Sequence, residues 1–447
     1  MSTAARHTVD RPAGLLRLPA FPWRIFWIAL AVRIAAMTLG HYYRISAFED
    51  HFGFGWEMGR IARSLATGHG YANPFDHPSG PTAWVAPLYP LLLAGVFRLF
   101  GVYSALSAWI ILAFDCVLNA LMLPAIWEIA VRCFNRRIAV WSVWIWALYP
   151  AAMQFAVKWV WEMTLTAFLF SWILVLALRM RNIGSEPQEP DPASLKRWAV
   201  FGLLWGLVTL SDPSVSVFLP FCGLWILAGA RPFRRQLPRV ALASVLCVGC
   251  LVPWMVRNAR VFHQFVPMRT NFGAELWAAN NPAMKGMLVG SPVALPKEEE
   301  LFDRIGEINF SRLHGQMAFE RIRRHPGPFL LLSVRRFYFF WADIPHAYAR
   351  GKAWTEFFRS FNYQFTSLAG VLGLIVAVRR RVPAAWPFAM AFISIPFLYY
   401  FTFAEARFRH PLEPLIAILG VYLFQSAEKS WQVRWFRRSA HPGPDGS

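Results

Sequence analysis

Apolar runs of about 17–25 residues recur along the whole chain, each long enough to cross a bilayer as a single helix. Hydrocarbon offers no water to backbone N–H and C=O groups, so such a run must close its own hydrogen bonds as a helix. The pattern predicts an all-α polytopic membrane protein. Composition agrees: 56% of the 447 residues are hydrophobic, including 22 Trp and 39 Phe, against about 45–50% in soluble domains. The first run, Trp23 to Tyr43, carries Arg33 and has no small-residue cleavage site, so it reads as a retained span and not a signal peptide.

Charge sets the orientation. The net charge is +20, and Lys and Arg cluster at the ends of apolar runs, where they mark the inner side and meet anionic lipid; no nucleic-acid partner is expected. Residues 1–22 are polar and basic and read as a cytoplasmic tail, so the first span, 23–42, exits outward. Pro87 to Phe100 is short for a span. Laid along the membrane surface, it brings five basic clusters to the inner side: Arg132 to Arg137, Arg179 to Arg197, Arg231 to Arg239, Arg379 to Arg381 and Lys429 to Arg438. The remaining spans fall at 104–131, 138–157, 160–178, 198–211, 214–230, 240–256, 364–378, 384–403 and 411–426, with Ser211-Asp212-Pro213 a tight outer turn. The bundle then has about ten transmembrane helices. Its divisions are a cytoplasmic tail (1–22), an N-terminal transmembrane module (23–256) with an outer loop at 43–103, an extracytoplasmic loop (257–362), C-terminal transmembrane helices (363–428) and a second cytoplasmic tail (429–447).

Two polar regions interrupt the spans. In the first, Glu57, Arg60, Ile61, Ala62, Leu65 and Gly68 read as one short amphipathic helix stopped by glycine, followed by a Pro/Gly-rich loop from Asn73 to Pro81. In the second, Leu301, Ile305, Ile308, Leu313, Met317 and Ile322 space as water-exposed amphipathic helices, and Phe329 to Trp341 reads as an interfacial helix. Cys247 and Cys250 have CxxC spacing but no second ligand pair, so they read as packed thiols. No His and carboxylate set has zinc spacing, and neither metal nor cofactor is expected.

On this topology acids and bases meet at the outer face. Glu49, Asp50 and Glu57 open the first outer loop, and Lys158 and Glu162 flank the next outer turn. Arg257 and Asn258 cap the span 240–256, while Glu405, Arg407, Arg409 and His410 precede the last span. A carboxylate beside arginines at a membrane edge suits transfer of a sugar from a lipid phosphate. The carboxylate takes the proton of the acceptor hydroxyl, and arginine stabilises the charge that develops on the leaving phosphate. Glu57 or Asp50 can supply the base; Glu57 is placed first, because a helix N-terminus fixes it and favours its ionised form. Arg60, three residues on, can pair with it. Arg407 and Arg409 are the expected phosphate contacts, with His410 beside them; Arg60, Lys158, Glu162, Arg257 and Asn258 complete the candidate binding residues. Arg33 and Asp115 lie near mid-span and are expected to pair across the first two spans; ionisable groups at that depth otherwise favour a transporter.

Four passages carry a resemblance: FGWEMGRIARSLATGHGY with GPTAWVAPLYPLLLAGVFRLFG; WIWALYP with KWVWEMTL; PWMVRNARVFHQFVPMRTNFGAELWAANNP; and FTFAEARFRHPLEPL. The chain resembles the GT-C superfamily of polytopic membrane glycosyltransferases. More closely it resembles bacterial glycosyltransferase family 39-like proteins, related to protein O-mannosyltransferases and the lipid A aminoarabinose transferase. The resemblance implies a catalytic first outer loop with juxtamembrane helices and a polyprenyl-phosphate sugar donor. It also implies an extracytoplasmic lipid, glycan or protein acceptor, and a bacterial inner membrane with the site facing the periplasm or exterior. The family's monophosphate branch needs no metal. Its first-loop signature is an Asp, often Asp-Glu, before a helix ending in Gly. Here Phe54 and Gly55 stand at that place, which leaves Glu57 or Asp50 as the carboxylate. The implied activity is hexosyl or pentosyl transfer. The alternatives are a lipid-linked-sugar flippase or transporter, and a catalytically inactive binder of lipid-linked glycan.

Overall fold

The computed structural model describes residues 19–439 apart from 49, 186–187, 231, 283–291, 294 and 345–352, so Glu49 lies outside the described residues. The chain forms helices α1 (Trp23–Leu39), α2 (Glu57–Ala66), α3 (Leu88–Phe100), α4 (Ala105–Cys133), α5 (Arg136–Leu148), α6 (Pro150–Val157), α7 (Met163–Met180), α8 (Leu195–Ser211) and α9 (Leu219–Gly229). There follow α10 (Phe233–Phe262), α11 (Phe272–Asn280), α12 (Pro296–Ile305), α13 (Glu307–Arg324), α14 (Pro326–Ala342), α15 (Ala353–Arg379), α16 (Ala385–Phe397) and α17 (Glu413–Ser439). Among the described residues there is no strand, only an isolated bridge between Ala72 and Pro81. The protein is the all-α membrane bundle that the apolar runs predict.

Every expected span falls on helix. By length and apolarity alone four segments can cross a bilayer: α4, α7, α10 and 357–379 of α15. A fifth is α5 with α6, bent by 48°. Pro150 has no N–H to continue the helix, and it drives Tyr149 into extended backbone (ψ 113°), which makes the bend.

That bend strips partners from carbonyls in a buried setting, and a buried cation replaces them. Arg33 on α1 donates to the carbonyls of Ala147 (2.9 Å) and Trp146 (2.8 Å) and to Asn119 Oδ1 (2.9 Å). Asn119 in turn donates to the carbonyl of Ala152 across the break at 3.1 Å. The expected Arg33–Asp115 pair does not form. The acceptors at the bend use the guanidinium, and Tyr89 of α3 donates its hydroxyl to Asp115 at 2.8 Å.

Helices α8 and α10 lie close because α8 presents glycine. A Cβ on Gly202 would stand 2.2 Å from the carbonyl oxygen of Ala243, and one on Gly206 2.7 Å from Cys250 Cβ. Small residues let membrane helices approach in this way. Cys247 and Cys250 are free, half-buried thiols. Helix α13 packs against α11 and α12, and the loop between α2 and α3 meets α12 at Phe302 and α13 at Glu307, where the candidate site lies.

Replacing Arg33 by Met keeps much of its bulk and orphans the carbonyls at the bend. We expect each to cost about 1–3 kcal/mol, read as a lower thermal midpoint in detergent. An unchanged midpoint would remove Arg33 from this role.

Candidate active site

The first polar loop is built to press Glu57 against the α6–α7 turn. Gly55 has φ +86°, and a Cβ there would lie 2.4 Å from the carbonyl oxygen of Val160 and 2.8 Å from the ring of Trp161. Only glycine fits both the backbone angle and the approach. Phe54, one residue earlier, is buried against Phe97 and Tyr103. The residues standing in place of an acid pair are thus a core anchor and a close-contact glycine. Trp56 also has positive φ, +48°, a placement that costs a non-glycine residue about 1–3 kcal/mol and persists only when its surroundings enforce it. Helix α2 begins immediately after it with Glu57, as the sequence predicts.

Glu57 lines a cavity of about 390 Å³ together with Glu162, Asp212, Glu275, Arg269 and Arg407. Trp56, Trp84, Trp161, Phe272, Tyr399 and Phe408 form much of the remaining wall. Among the described residues no side chain forms a hydrogen bond or ion pair with the Glu57 carboxylate. Burial pushes its affinity for a proton up, while Arg407, Arg60 and Arg269 pull it down. Burial likewise pushes Glu275 up to about 7; Arg269 opposes the shift and Glu57 adds to it. Oε2 of Glu162 is buried without a hydrogen-bond partner. Asp212 accepts from the backbone and hydroxyl of Ser214 at 3.0 and 2.7 Å and from Tyr399 at 3.3 Å.

The two arginines are held from behind. Arg407 lies 2.6 Å from Glu405, with its guanidinium 4.6 Å from the ring of Trp161 and 4.9 Å from that of Phe408. Arg269 donates Nε to the carbonyl of Trp84 at 3.0 Å. Behind Trp84 sits a buried carboxylate, Glu307, at the start of α13. It accepts from Thr82 Oγ1 (2.5 Å), Ala83 N–H (2.8 Å) and Thr270 Oγ1 (2.5 Å). One side chain thus ties the first loop to the segment that follows α10.

Several expected contacts do not reach the cavity, each because it has a partner nearer its own backbone. Asp50 is held by Arg60 at 2.9 Å and Arg63 at 3.0 Å, and these cations keep its carboxyl below the usual range against the cost of burial. Arg60 therefore pairs with Asp50 and leaves Glu57 free. Arg257 donates to the carbonyls of Thr82 and Tyr71, both at 2.6 Å, and Asn258 to that of Val266 at 3.1 Å; both fasten loops. Lys158 is exposed and lies over the rings of Tyr42 and Trp159. Arg409 is fully buried, 2.7 Å from Glu413, and also donates to Ser367 and to the carbonyls of Trp341 and Tyr363. His410 is fully buried between Trp146 and Phe155. Arg409 and His410 are therefore interior groups, and neither lines the cavity.

Sequence reading overlooked Arg269, Glu275 and Asp212. Asp212 had a signal, since it sits in the Asp-Pro turn placed on the same face as the other acids. Arg269 and Glu275 lie within one of the four resembling passages without a spacing that marks them. A further cluster joins distant positions: His77 contacts Glu299 at 3.1 Å, Asp303 at 3.2 Å and Asp76 at 3.5 Å. One side-chain N or O atom from each of His77, Glu299 and Asp303 lies within 4.8 Å of the other two, and the cluster latches the first loop to α12. The separation in sequence hid it.

Residues 76–256 match the family model for dolichyl-phosphate-mannose-protein mannosyltransferase. No curated protein sequence matches the chain. The apo oligosaccharyltransferase of Archaeoglobus fulgidus superposes with a TM-score of 0.53 at 13% identity, over 95% of this chain and 52% of its own. The same enzyme tethered to an acceptor peptide with the NVT sequon gives 0.53 at 13%, over 92% and 50%. This chain spans about half the length of that enzyme. ArnT from Cupriavidus metallidurans, bound to undecaprenyl phosphate, gives a TM-score of 0.36 at 15% identity over 90% and 78%, too loose a fit to argue from. The fold is like that of the archaeal oligosaccharyltransferase, and its long apolar helices make the chain an integral membrane protein.

Replacing Glu307 by Ala leaves three buried donors unpaired. We expect residues 71–86 to lose about 1–3 kcal/mol of local stability, seen as faster amide hydrogen exchange there with helix content unchanged. Unaltered exchange in that segment would show that the loop is held by other means.

Proposed function

We propose that this GT-C-fold protein is a glycosyltransferase that moves a sugar from a polyprenyl-phosphate donor to a hydroxyl-bearing acceptor outside the membrane. The observation that carries the reading is the cavity itself. It sets a carboxylate free of side-chain partners, Glu57, in one aromatic-walled space with Arg269 and Arg407. The family-model match over residues 76–256 supports the same chemistry. Arg407 and Arg269 bind the donor phosphate by charge-assisted hydrogen bonds, and Trp56, Trp84 and Trp161 offer flat faces to the sugar. The acceptor oxygen bonds to the anomeric carbon as the bond from that carbon to the phosphate oxygen breaks. The acceptor proton passes to Glu57, and the two arginines take up the charge left on the phosphate. Glu162 positions the sugar or acceptor from the facing turn. The positive-inside distribution of Lys and Arg supports an outward-facing position, in a bacterial inner membrane, for residues 43–103 and 257–362 and the cavity they help to line.

A transporter reading loses its main support. Arg33 is satisfied by fixed carbonyls and Asn119 and is not left to move a cargo, and Asp115 is tied to Tyr89 through Oδ2.

Glu57→Gln keeps the shape but cannot take a proton. Transfer to acceptor should fall roughly 10²–10⁴-fold while thermal stability holds. A near-normal rate in this variant would exclude Glu57 as the base. Asp50→Asn should instead lower stability, because it abandons Arg60 and Arg63. The wild-type rate should rise with pH as Glu57 ionises. Burial raises its pKa, so the acid limb lies above the usual glutamate value of about 4.3. A limb at or below that value would contradict the assignment.

Donor binding separates an active enzyme from an inactive binder. Arg407→Ala and Arg269→Ala should each weaken binding of a polyprenyl-phosphate analogue about tenfold or more. Unchanged affinity in both would move the phosphate elsewhere. Binding by the wild type without transfer to any offered acceptor would leave only the inactive binder.

A further inference from the structure

A second concavity, also about 390 Å³, opens between α5, α15 and α17. Its wall is apolar and includes Trp141, Ile145, Phe365 and Phe424, all of them large side chains exposed on the protein surface. Helices α5 and α15 belong to segments long and apolar enough to cross a membrane, so an exposed apolar face on them looks into hydrocarbon and its natural occupant is a lipid chain.

Its two ends differ in charge. One end carries Arg137, 64% exposed and 3.3 Å from Glu428. Two residues before Glu428 on α17, Ser426 accepts from Arg380 at 3.0 Å, Arg379 closes α15, and the Nε2 amide of Gln425, on the groove wall, has no acceptor. The other end carries Glu413, whose Oε2 has no donor. A phosphate suits the first end, where Arg137, Arg379 and Arg380 outnumber Glu428; the second offers it no free cation among the described residues, since Arg409 is buried and paired with Glu413. Glu413 directly follows the turn that bears Arg407, and α5 leads through α6 to Glu162. The Arg137 end is therefore the one remote from the active-site cavity, on the side where anionic headgroups attract basic residues.

Length also discriminates. From Arg137 to Tyr149 the groove follows α5 for about 18 Å at 1.5 Å per residue. Half of the hydrocarbon core is about 15 Å deep, the reach of one fatty acyl chain. A polyprenyl chain would overrun the groove and would bring its phosphate to the wrong end.

We propose that this groove is a binding site for an anionic phospholipid, with one acyl chain along α5 and α17 and the phosphate at Arg137 and Arg380. The site is separate from the transfer reaction and stands whether or not that reading holds.

The test uses the full chain purified in detergent, with extraction and mass spectrometry of retained lipid. Thermal melting follows after delipidation and addition of phosphatidylglycerol or phosphatidylcholine. We expect the wild type to retain an anionic phospholipid and to gain more stability from phosphatidylglycerol. Ala417→Phe fills the groove and should abolish retention. Arg137→Gln, at an exposed position that folding does not need, should weaken phosphatidylglycerol binding about fivefold, the effect of one basic residue at an anionic surface, and leave phosphatidylcholine unaffected. Equal response to the two lipids, or an Arg137→Gln variant that keeps the preference, would overturn the proposal. Retention of polyprenyl phosphate in place of phospholipid would overturn it too, by giving the groove to the donor tail.

Discussion

A carboxylate taken out of water is tolerated only if hydrogen bonds replace the water. Glu307 meets that demand with three donors, from Thr82, Ala83 and Thr270, and none of them belongs to its own helix. The neighbours of those donors, Trp84 and Arg269, are cavity wall. The need to satisfy one buried group therefore fixes the distance between the first loop and the segment after α10. The shape of the cavity follows from that distance. Arg257, donating to Thr82 and Tyr71, braces the same junction from α10. Deeper in the bundle Arg33 obeys the same rule with the signs reversed, a buried cation serving carbonyls that Pro150 has released.

The molecule sorts its charges into two kinds. Asp50 with Arg60 and Arg63, Arg409 with Glu413, and Glu128 with Arg132 and Arg179 are closed sets, in which each acid is matched by a near cation. Around the cavity the acids outnumber the arginines, and Glu57, Glu162, Asp212 and Glu275 have no cation within ion-pair distance among the described residues. Structural ion pairs hold elements in place; unpaired, partly desolvated acids are where proton affinity is shifted and chemistry becomes possible. The aromatic wall keeps them poorly solvated, and among the aromatics named only Tyr399 bonds to one of them, Asp212.

The helices were legible because hydrocarbon imposes a period and a length that soluble context does not. Even α2 was readable, from Glu57 to the glycine after it, since its apolar face repeats at helical spacing. The site was legible in part. Glu57, Glu162 and Arg407 could be named because each sits at a helix or span edge on the outer face. Arg409 and His410 share that address yet turn inward, and no feature of the sequence says which way a residue faces in a 3-10 turn. Arg257 and Asn258 look like ligand contacts for the same reason and prove to be loop fasteners. The His77 cluster and the Glu307 knot join residues too far apart for any spacing rule to connect.

Gly55 limits what the first loop could become. With φ at +86° and the carbonyl of Val160 2.4 Å from where a Cβ would stand, the backbone has been brought closer to the neighbouring turn than any side chain allows. An acid at this position would push Trp161 aside and open the cavity wall. The close seating and an acid at 55 are mutually exclusive, so the carboxylate that this stretch brings to the cavity is carried by the helix that follows.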